Sequence, residues 1–423
     1  MLWKINTPVH VMVIGLGYVG LPTALAFSKK YKTTGIDINE KKIEGLKAGM
    51  DSTGQYLPDE LKAAKNLKFD TCIRQISEKI IYIVTVPTPI NTNKKPDLSF
   101  LENASIEISK YLKNGDVVIY ESTTFPGCTE ELCIPLLEKG SNLYLNTDFG
   151  VGYSPERYSP GESKALEEIV RITSGSNPEI AAFVDDFYKS VLRVKTYRAS
   201  SIKIAEAAKL VENCQRDVNI SFMNELALLF DKMNIDTRQV LEAATTKWNF
   251  LPFKPGLVGG HCISVDPYYM MDVAQKNNYL PTLIGAGREI NEGMGSFVAQ
   301  KCLKILSQKG FKLKGTKALI LGFAYKANCS DFRNTKVTDI YQELSSFGLE
   351  VHVADEFVNA EAVFQEFELN IINSFSPKKY DLIIHAVAHK TFKNFHEDLN
   401  DQWTGIVFDA TGTWPAEVCH GRL

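Results

Sequence analysis

The stretch VHVMVIGLGYVGLPTALAFSKKYKTTGID, running from Val9 to Asp37, decides the fold. Val9–Gly15 is a continuous apolar run of strand length, Leu21–Lys30 has helical character, and Thr33–Asp37 reads as a second strand. Between the first two lies Gly15-Leu16-Gly17-Tyr18-Val19-Gly20, a G-x-G-x-x-G that follows a strand and opens a helix. Gly15 permits the tight turn, Gly17 lets backbone approach a pyrophosphate, and Gly20 lets helix pack on strand. Free N–H groups and the dipole at that helix start favour an anion. Asp37 ends the second strand 22 positions after Gly15, where a carboxylate binds ribose hydroxyls and repels a 2′-phosphate. The unit is read as a dinucleotide site that takes NAD rather than NADP. The bland alternative is a turn without a ligand, with Asp37 capping a helix over Asn39–Lys47. Strand, turn, helix and carboxylate agree against it.

From Val9 to Phe27 the only residue able to carry a charge is His10, a pattern that could suggest a membrane or signal segment. Three glycines and a proline interrupt it, and neither a basic leader nor a small-residue cleavage site flanks it. A buried strand and helix explain the same apolarity, so no membrane association and a cytoplasmic location are expected. The formal charge of −3 argues against nucleic acid as a partner. Eight cysteines in 423 residues, with no CxxC pair, read as reduced thiols with neither a disulfide framework nor a metal site.

That length requires more than one core. Up to about residue 195, strand and helix alternate, with further parallel strands expected at Ile80–Val86, Asp116–Glu121 and Val151–Tyr153. Ser201–Met233 is a long helical pattern without proline, and Thr237–Ala244 begins another helix. From Lys317 the alternation returns, with Ala318–Phe323, Val337–Phe347, Glu350–Ala354, Leu382–Val387 and Ile406–Asp409. The expected architecture is α/β: two Rossmann-like doubly wound domains, 1–195 and 306–423, joined by a long-helix region, 196–305.

Four further stretches can carry chemistry. Gly256–Cys262, GLVGGHC, delivers a thiol just ahead of Asp266-Pro267-Tyr268, which looks like a helix start. A cysteine so placed is a plausible nucleophile or simply a small buried hydrophobe; Asp266 orients a water or a base, or caps the helix. In Glu206–Asn213, EAAKLVEN, Lys209 and Asn213 share a helix face and could meet an oxyanion, or that face is solvated with a Glu206–Lys209 pair. SPER, Ser154–Arg157, follows a strand end, where Glu156 could activate a water. ESTTFPG, Glu121–Gly127, ends another strand and could be only a turn.

Taken in order, GLGYVGLP, the Asp37 strand end, VPTP at 86–89, ESTTFPG, SPER, EAAKLVEN, PGLVGGHC and GFAYKANCSDFRNT resemble the UDP-glucose/GDP-mannose dehydrogenase family along nearly the whole chain. The tract Thr246–Phe253, TKWNFLPF, is most similar to the branch that oxidises UDP-N-acetylhexosamines, UDP-GlcNAc or UDP-GalNAc, for surface polysaccharides. The resemblance implies oxidation of the sugar C6 alcohol to a carboxylate with two NAD⁺, through a thiohemiacetal and a thioester on Cys262. It implies water activation by Glu156 and Asp266, oxyanion stabilisation by Lys209 and Asn213, and Thr123 near the catalytic water. For NAD it adds Tyr18, Val19, Lys42, Thr88, Thr123 and Arg333 to the glycines and Asp37. For the substrate it implies Glu156, Arg157, Lys209, Asn213, Lys326 and a loop, Phe250–Gly260, wrapping the sugar nucleotide with Phe250, Phe253, Gly256 and Gly259. A homodimer or higher homo-oligomer built on the central helices is expected.

Two positions depart from the UDP-glucose members. Pro160 stands where they carry a second glutamate, four residues after Glu156, and Thr246 where they carry an arginine; Lys254 and Arg288 are candidate replacement cations. Three other functions compete: a UDP-glucose 6-dehydrogenase or another nucleotide-sugar dehydrogenase; a single-step NAD-dependent hydroxy-acid or polyol dehydrogenase, which needs no Cys262; and an NAD-sensing regulator, which gives no reason for Cys262, Lys209 and Glu156 to coexist.

Overall fold

A computed structural model of the protein describes residues 9–157, 166–399 and 403–423. The Pro160 position falls outside them. The chain forms two compact units, one running up to Glu212 and including Tyr268–Tyr279, the other comprising Asn213–Pro267 and Leu280–Leu423.

The first unit is an eight-stranded sheet: β1 (Val9–Ile14), β2 (Lys32–Ile36), β3 (Leu67–Asp70), β4 (Lys79–Val84), β5 (Val117–Tyr120), β6 (Gly150–Tyr153), β7 (Arg171–Gly175) and β8 (Thr196–Arg198). Its order is β3-β2-β1-β4-β5-β6-β7-β8, parallel except for the β6–β7 pair. Val11, Val13, Ile81, Ile83 and Ile119 are buried on one face and Met12, Tyr82 and Val118 on the other, which is why these strands read as unbroken apolar runs. The helix Gly20–Ser28 is buried along its whole length, and Phe27 stacks on Phe187 of the helix Pro178–Lys189 with centroids 4.5 Å apart. Its start and that of β2 fall within two residues of the expected bounds. Strands β3, β7 and β8 were not legible, being short and partly polar.

The second unit carries a six-stranded sheet of β9 (Lys317–Leu321), β10 (Glu350–Ala354), β11 (Ile371–Ile372), β12 (Leu382–His385), β13 (Ile406–Asp409) and β14 (Gly421–Arg422). The order is β11-β10-β9-β12-β13-β14, all parallel. Ile320, Ile384 and Phe408 pack with Ile340, Leu344 and Leu306 on one face; Leu321, Ile383 and Trp414 form the core on the other. The 32-residue helix Ile202–Met233 matches the long helical pattern, and the unit border falls within it. A second long helix, Thr282–Gln308, escaped the sequence reading because four glycines interrupt its pattern. Close packing explains two of them: a Cβ at Gly287 would lie 2.8 Å from Ser221 Oγ, and one at Gly295 would lie 2.7 Å from Asp339 Cβ.

Among the described residues, no helix is long and apolar enough to cross a membrane, and no cluster of His, Cys, Asp or Glu is arranged to hold a metal. All eight cysteines are free thiols.

Candidate active site

In the first unit the sheet order reverses between β1 and β4, the place where an open α/β sheet leaves a crevice at its carboxyl edge. Gly15 turns there with φ +92°, its N–H donating 2.8 Å to Ile36 O. A Cβ on Gly15 would sit 3.0 Å from Thr85 O, and one on Gly20 only 1.8 Å from Gly15 O, whereas a Cβ on Gly17 would meet nothing within 4 Å. The turn is thus closed on the protein side and open at Gly17, as a pyrophosphate cradle requires. Tyr18 and Val19, half-buried, lead into the helix. Asp37 is buried; its carboxylate accepts from Leu16 N at 3.0 Å and Asn39 N at 3.0 Å, and pairs with Lys42 Nζ at 2.7 Å. Asn39, not Asp37, caps the helix Glu40–Lys47 by accepting from Lys42 N. The capping alternative for Asp37 fails, and these residues fit the adenosine half of NAD.

The neighbouring strand ends are tied together along the same edge. Ser122 Oγ donates 2.7 Å to Val86 O, Tyr153 Oη donates 3.2 Å to Ser122 O, and Tyr269 Oη donates 3.0 Å to Thr88 O. Thr88 follows β4, Thr123 follows β5 and Glu156 follows β6, where Glu156 N donates 3.4 Å to Glu121 O. Glu156 is buried. Arg157 is bidentate on Glu212, at 3.1 and 2.8 Å, and donates 2.8 Å to Val170 O, so its guanidinium braces the SPER turn.

The EAAKLVEN helix is not solvated on this side. Lys209 is 5% exposed and Glu206 0%. Glu206 does not serve as a surface partner for Lys209; its carboxylate accepts from Gly127 N at 2.6 Å, Thr129 N at 2.9 Å, Thr129 Oγ1 at 2.7 Å and Thr124 Oγ1 at 3.1 Å. Burial raises its pKa even though these donors pull the other way. It pins the ESTTFPG turn, a role the sequence did not disclose. Behind that turn, the Arg171 guanidinium meets Glu121 Oε1 at 2.5 Å with both side chains buried, and Tyr188 Oη donates to the same oxygen.

In the second unit, Cys262 is half-buried and its carbonyl accepts from Asp266 N at 2.8 Å, so the thiol-bearing turn runs directly into the helix Asp266–Lys276. Asp266 is 2% exposed and accepts a hydrogen bond from Asn213 Nδ2. The Gly-rich loop is moulded to its surroundings: a Cβ on Gly259 would be 2.8 Å from Asn334 O, and Gly260, at φ +87°, has Tyr325 ring carbons 2.8 Å from where a Cβ would be. Upstream, Asn224 holds Gly256 at both backbone groups, 2.8 Å to N and 3.1 Å to O, and also bonds Asn291. Gly256, Gly259, Lys326, Thr335, Val387 and Thr411 line a cleft of about 190 Å³ at the carboxyl ends of β9, β12 and β13, where this sheet reverses order. Phe253 lines a second cleft with Arg238 and Lys254; Phe250 is half-buried nearby in sequence. Arg333 pairs with Asp331 at 2.6 Å, and its carbonyl accepts from Gly260 N. Arg288 is excluded as the replacement cation: it is 2% exposed and bound to Asp217 at 2.6 Å and to Glu292.

The first unit therefore collects Gly15, Gly17, Gly20, Asp37, Lys42, Thr88, Thr123, Glu156 and Lys209, and the second collects Asn213, Cys262, Asp266, Gly256, Gly259 and Lys326. A dinucleotide fold with an ordered set of thiol, lysine, amide and carboxylates defines an NAD-dependent dehydrogenase. The chain belongs to the UDP-glucose/GDP-mannose dehydrogenase family, matching its NAD binding domain over residues 9–192, its central domain over 203–293 and its UDP binding domain over 319–415. It is an NAD-dependent oxidoreductase acting on a CH–OH group. It is 47% identical over 419 residues to a UDP-N-acetyl-D-glucosamine 6-dehydrogenase of Salmonella typhi, covering 98% of this chain and 99% of that one. To an enzyme of the same description from Pseudomonas aeruginosa it is 50% identical over 385 residues, 91% of each. The solved UDP-D-ManNAc dehydrogenase of Pyrococcus horikoshii superposes with a TM-score of 0.87 at 29% identity, covering 98% of both chains.

Proposed function

We propose that the enzyme oxidises C6 of a UDP-N-acetylhexosamine, UDP-GlcNAc foremost, to the uronic acid for surface polysaccharide synthesis in the cytoplasm. The observation that carries the substrate is the identity of 47–50% to two UDP-GlcNAc 6-dehydrogenases, against 29% to the mannosamine enzyme. The cradle of Gly15, Gly17 and Gly20 with Asp37 would hold NAD⁺, which supplies the hydride acceptor, two molecules per sugar. Tyr18, Val19, Lys42, Thr88 and Arg333 complete that proposal.

The chain's own groups account for the rest. After the first oxidation the Cys262 thiolate adds to the C6 aldehyde and forms a C–S bond, giving a thiohemiacetal. Loss of a second hydride from C6 makes the thioester. Water then attacks its carbonyl, breaks the C–S bond and returns the thiol. Glu156 in the first unit and Asp266 in the second, both buried, are the carboxylates we assign to taking the water proton, with Thr123 assigned near that water. Lys209 and Asn213, one helical turn apart, supply donors to the developing oxyanions. Lys326, Gly256 and Gly259 would hold the nucleotide diphosphate, Phe250 and Phe253 its flanks, and Arg157 would stabilise the Glu156 turn. We further propose three functional parts, 1–195, 196–305 and 306–423, and a homodimer through the long helix, where Ile204, Val211, Phe222 and Leu229 leave a half-exposed apolar stripe.

The test is NADH formation from UDP-GlcNAc, UDP-GalNAc, UDP-glucose and GDP-mannose. The proposal expects the highest kcat/KM with UDP-GlcNAc; a preference for a sugar lacking the N-acetyl group overturns it.

A further inference from the structure

Inside the second unit one buried histidine joins both ends of the loop that presents Tyr325 and Lys326 to the 190 Å³ cleft. His389 is 0% exposed. Its Nδ1 is 2.9 Å from Asn328 N, and its Nε2 is 2.9 Å from Asp355 Oδ2. A backbone N–H can only donate, so Nδ1 accepts and Nε2 carries the proton it gives to Asp355. The same Asp355 oxygen accepts from Phe323 N at 2.6 Å and Ala324 N at 2.9 Å, where the loop begins. At the other end, Asn328 stands in the left-handed region at φ 56° and its Oδ1 accepts from Lys390 N at 2.9 Å. Phe357 stacks flat against the imidazole, 4.7 Å between centroids. Residues 323–328 are therefore gripped at their start by Asp355 and at their end by His389 and Lys390. Tyr325, in the middle, also packs on Gly260, two residues before Cys262.

We propose that His389 is a positioning residue for the nucleotide-diphosphate site: by clamping the 323–328 loop it holds Tyr325 and Lys326 in the geometry that binds the uridine diphosphate end of the substrate. The inference rests on the reading of that cleft as the nucleotide site. A clamp of this kind acts on binding of the nucleotide and leaves the NAD cradle, in the other unit, alone.

The test compares two replacements by calorimetric titration with UDP and with NADH. His389→Phe keeps the ring against Phe357 but removes both polar contacts. His389→Gln keeps one acceptor and one donor at about the separation of the ring nitrogens. The clamp predicts about tenfold weaker UDP binding for His389→Phe, the loss expected of two buried hydrogen bonds. It also predicts UDP affinity within about threefold of wild type for His389→Gln and unchanged NADH affinity in both variants. UDP affinity unchanged in His389→Phe, or weakened equally in both variants, overturns it. If His389→Phe does not fold, Asn328→Gly, which keeps the left-handed backbone and drops only the Lys390 contact, must still weaken UDP binding about two- to threefold; no weakening overturns the clamp. Wild-type enzyme that binds no UDP would instead refute the nucleotide site itself.

Discussion

The two sheets contain the same turn used in two ways. Gly15 after β1 and Gly322 after β9 have φ of +92° and +95°, and each donates its N–H 2.8 Å to the last carbonyl of the adjacent strand, Ile36 or Ala354. In each the following residue, Leu16 or Phe323, donates to an aspartate just past that strand, Asp37 or Asp355. The other carboxylate oxygen accepts from an amide two residues further on, Asn39 or Phe357. There the likeness ends. After Gly15 the helix starts at Gly20, with Gly17 facing open space; after Gly322 the chain makes a fourteen-residue excursion before the helix Val337–Ser346. Asp37 keeps a lysine beside it and is 9% exposed; Asp355 is sealed at 2% under His389. One backbone scaffold thus gives a dinucleotide cradle where the glycines persist and a rigid loop holder where side chains fill the space.

The largest effect that could break this comparison is expected at Gly20. Gly20→Ala forces a methyl to within 1.8 Å of Gly15 O and should cost about 3 kcal/mol in urea unfolding while abolishing NADH binding. The matching position in the second turn is already an alanine, Ala327, which the structure accommodates. Next comes Asp355→Ala, which strands Phe323 N, Ala324 N and the His389 proton; a loss of about 2–3 kcal/mol in unfolding with NADH affinity unchanged separates it from Asp37. Asp37→Asn should do the reverse, costing less stability but weakening discrimination of NAD⁺ from NADP⁺ in kcat/KM by about tenfold. If Asp355→Ala weakens NADH binding as much as Asp37→Asn does, the two turns are not functionally distinct.

The smallest effect is on pH. Burial pushes the Asp355 carboxyl up, but the hydrogen bonds it accepts from His389 and from the two backbone amides outweigh it and hold the pKa below the ordinary 3.8. A depressed folded pKa stabilises the native state above 3.8 and loses that contribution as pH falls through the lower folded value. Acid unfolding below pH 4 should therefore be less steep in Asp355→Asn than in wild type, measured by circular dichroism across pH 2–5.

Gly15, Gly20 and Asp37 were legible because a tight turn, a close approach and a strand-end charge are local demands that leave local residue choices. The order of motifs pointed to Cys262, Lys209 and Glu156, although spacing alone left the EAAKLVEN face open to a solvated reading. What stayed hidden was the support: Glu206 under the ESTTFPG turn, Asn224 on Gly256 and His389 under the Lys326 loop. Each is a buried polar side chain satisfying backbone groups dozens of residues away, and sequence periodicity carries no record of such pairings. The helix Thr282–Gln308 was missed for a related reason, since Gly287 and Gly295 answer to tertiary neighbours rather than to helix propensity.

The central claim is that the Gly15 cradle serves a four-electron oxidation completed on Cys262. Counting NADH released per UDP-GlcNAc consumed at full conversion tests it most directly. The account predicts two NADH and one uronic acid per sugar for wild-type enzyme, and no uronic acid from Cys262→Ala; one NADH per sugar, or full oxidation by Cys262→Ala, would contradict it.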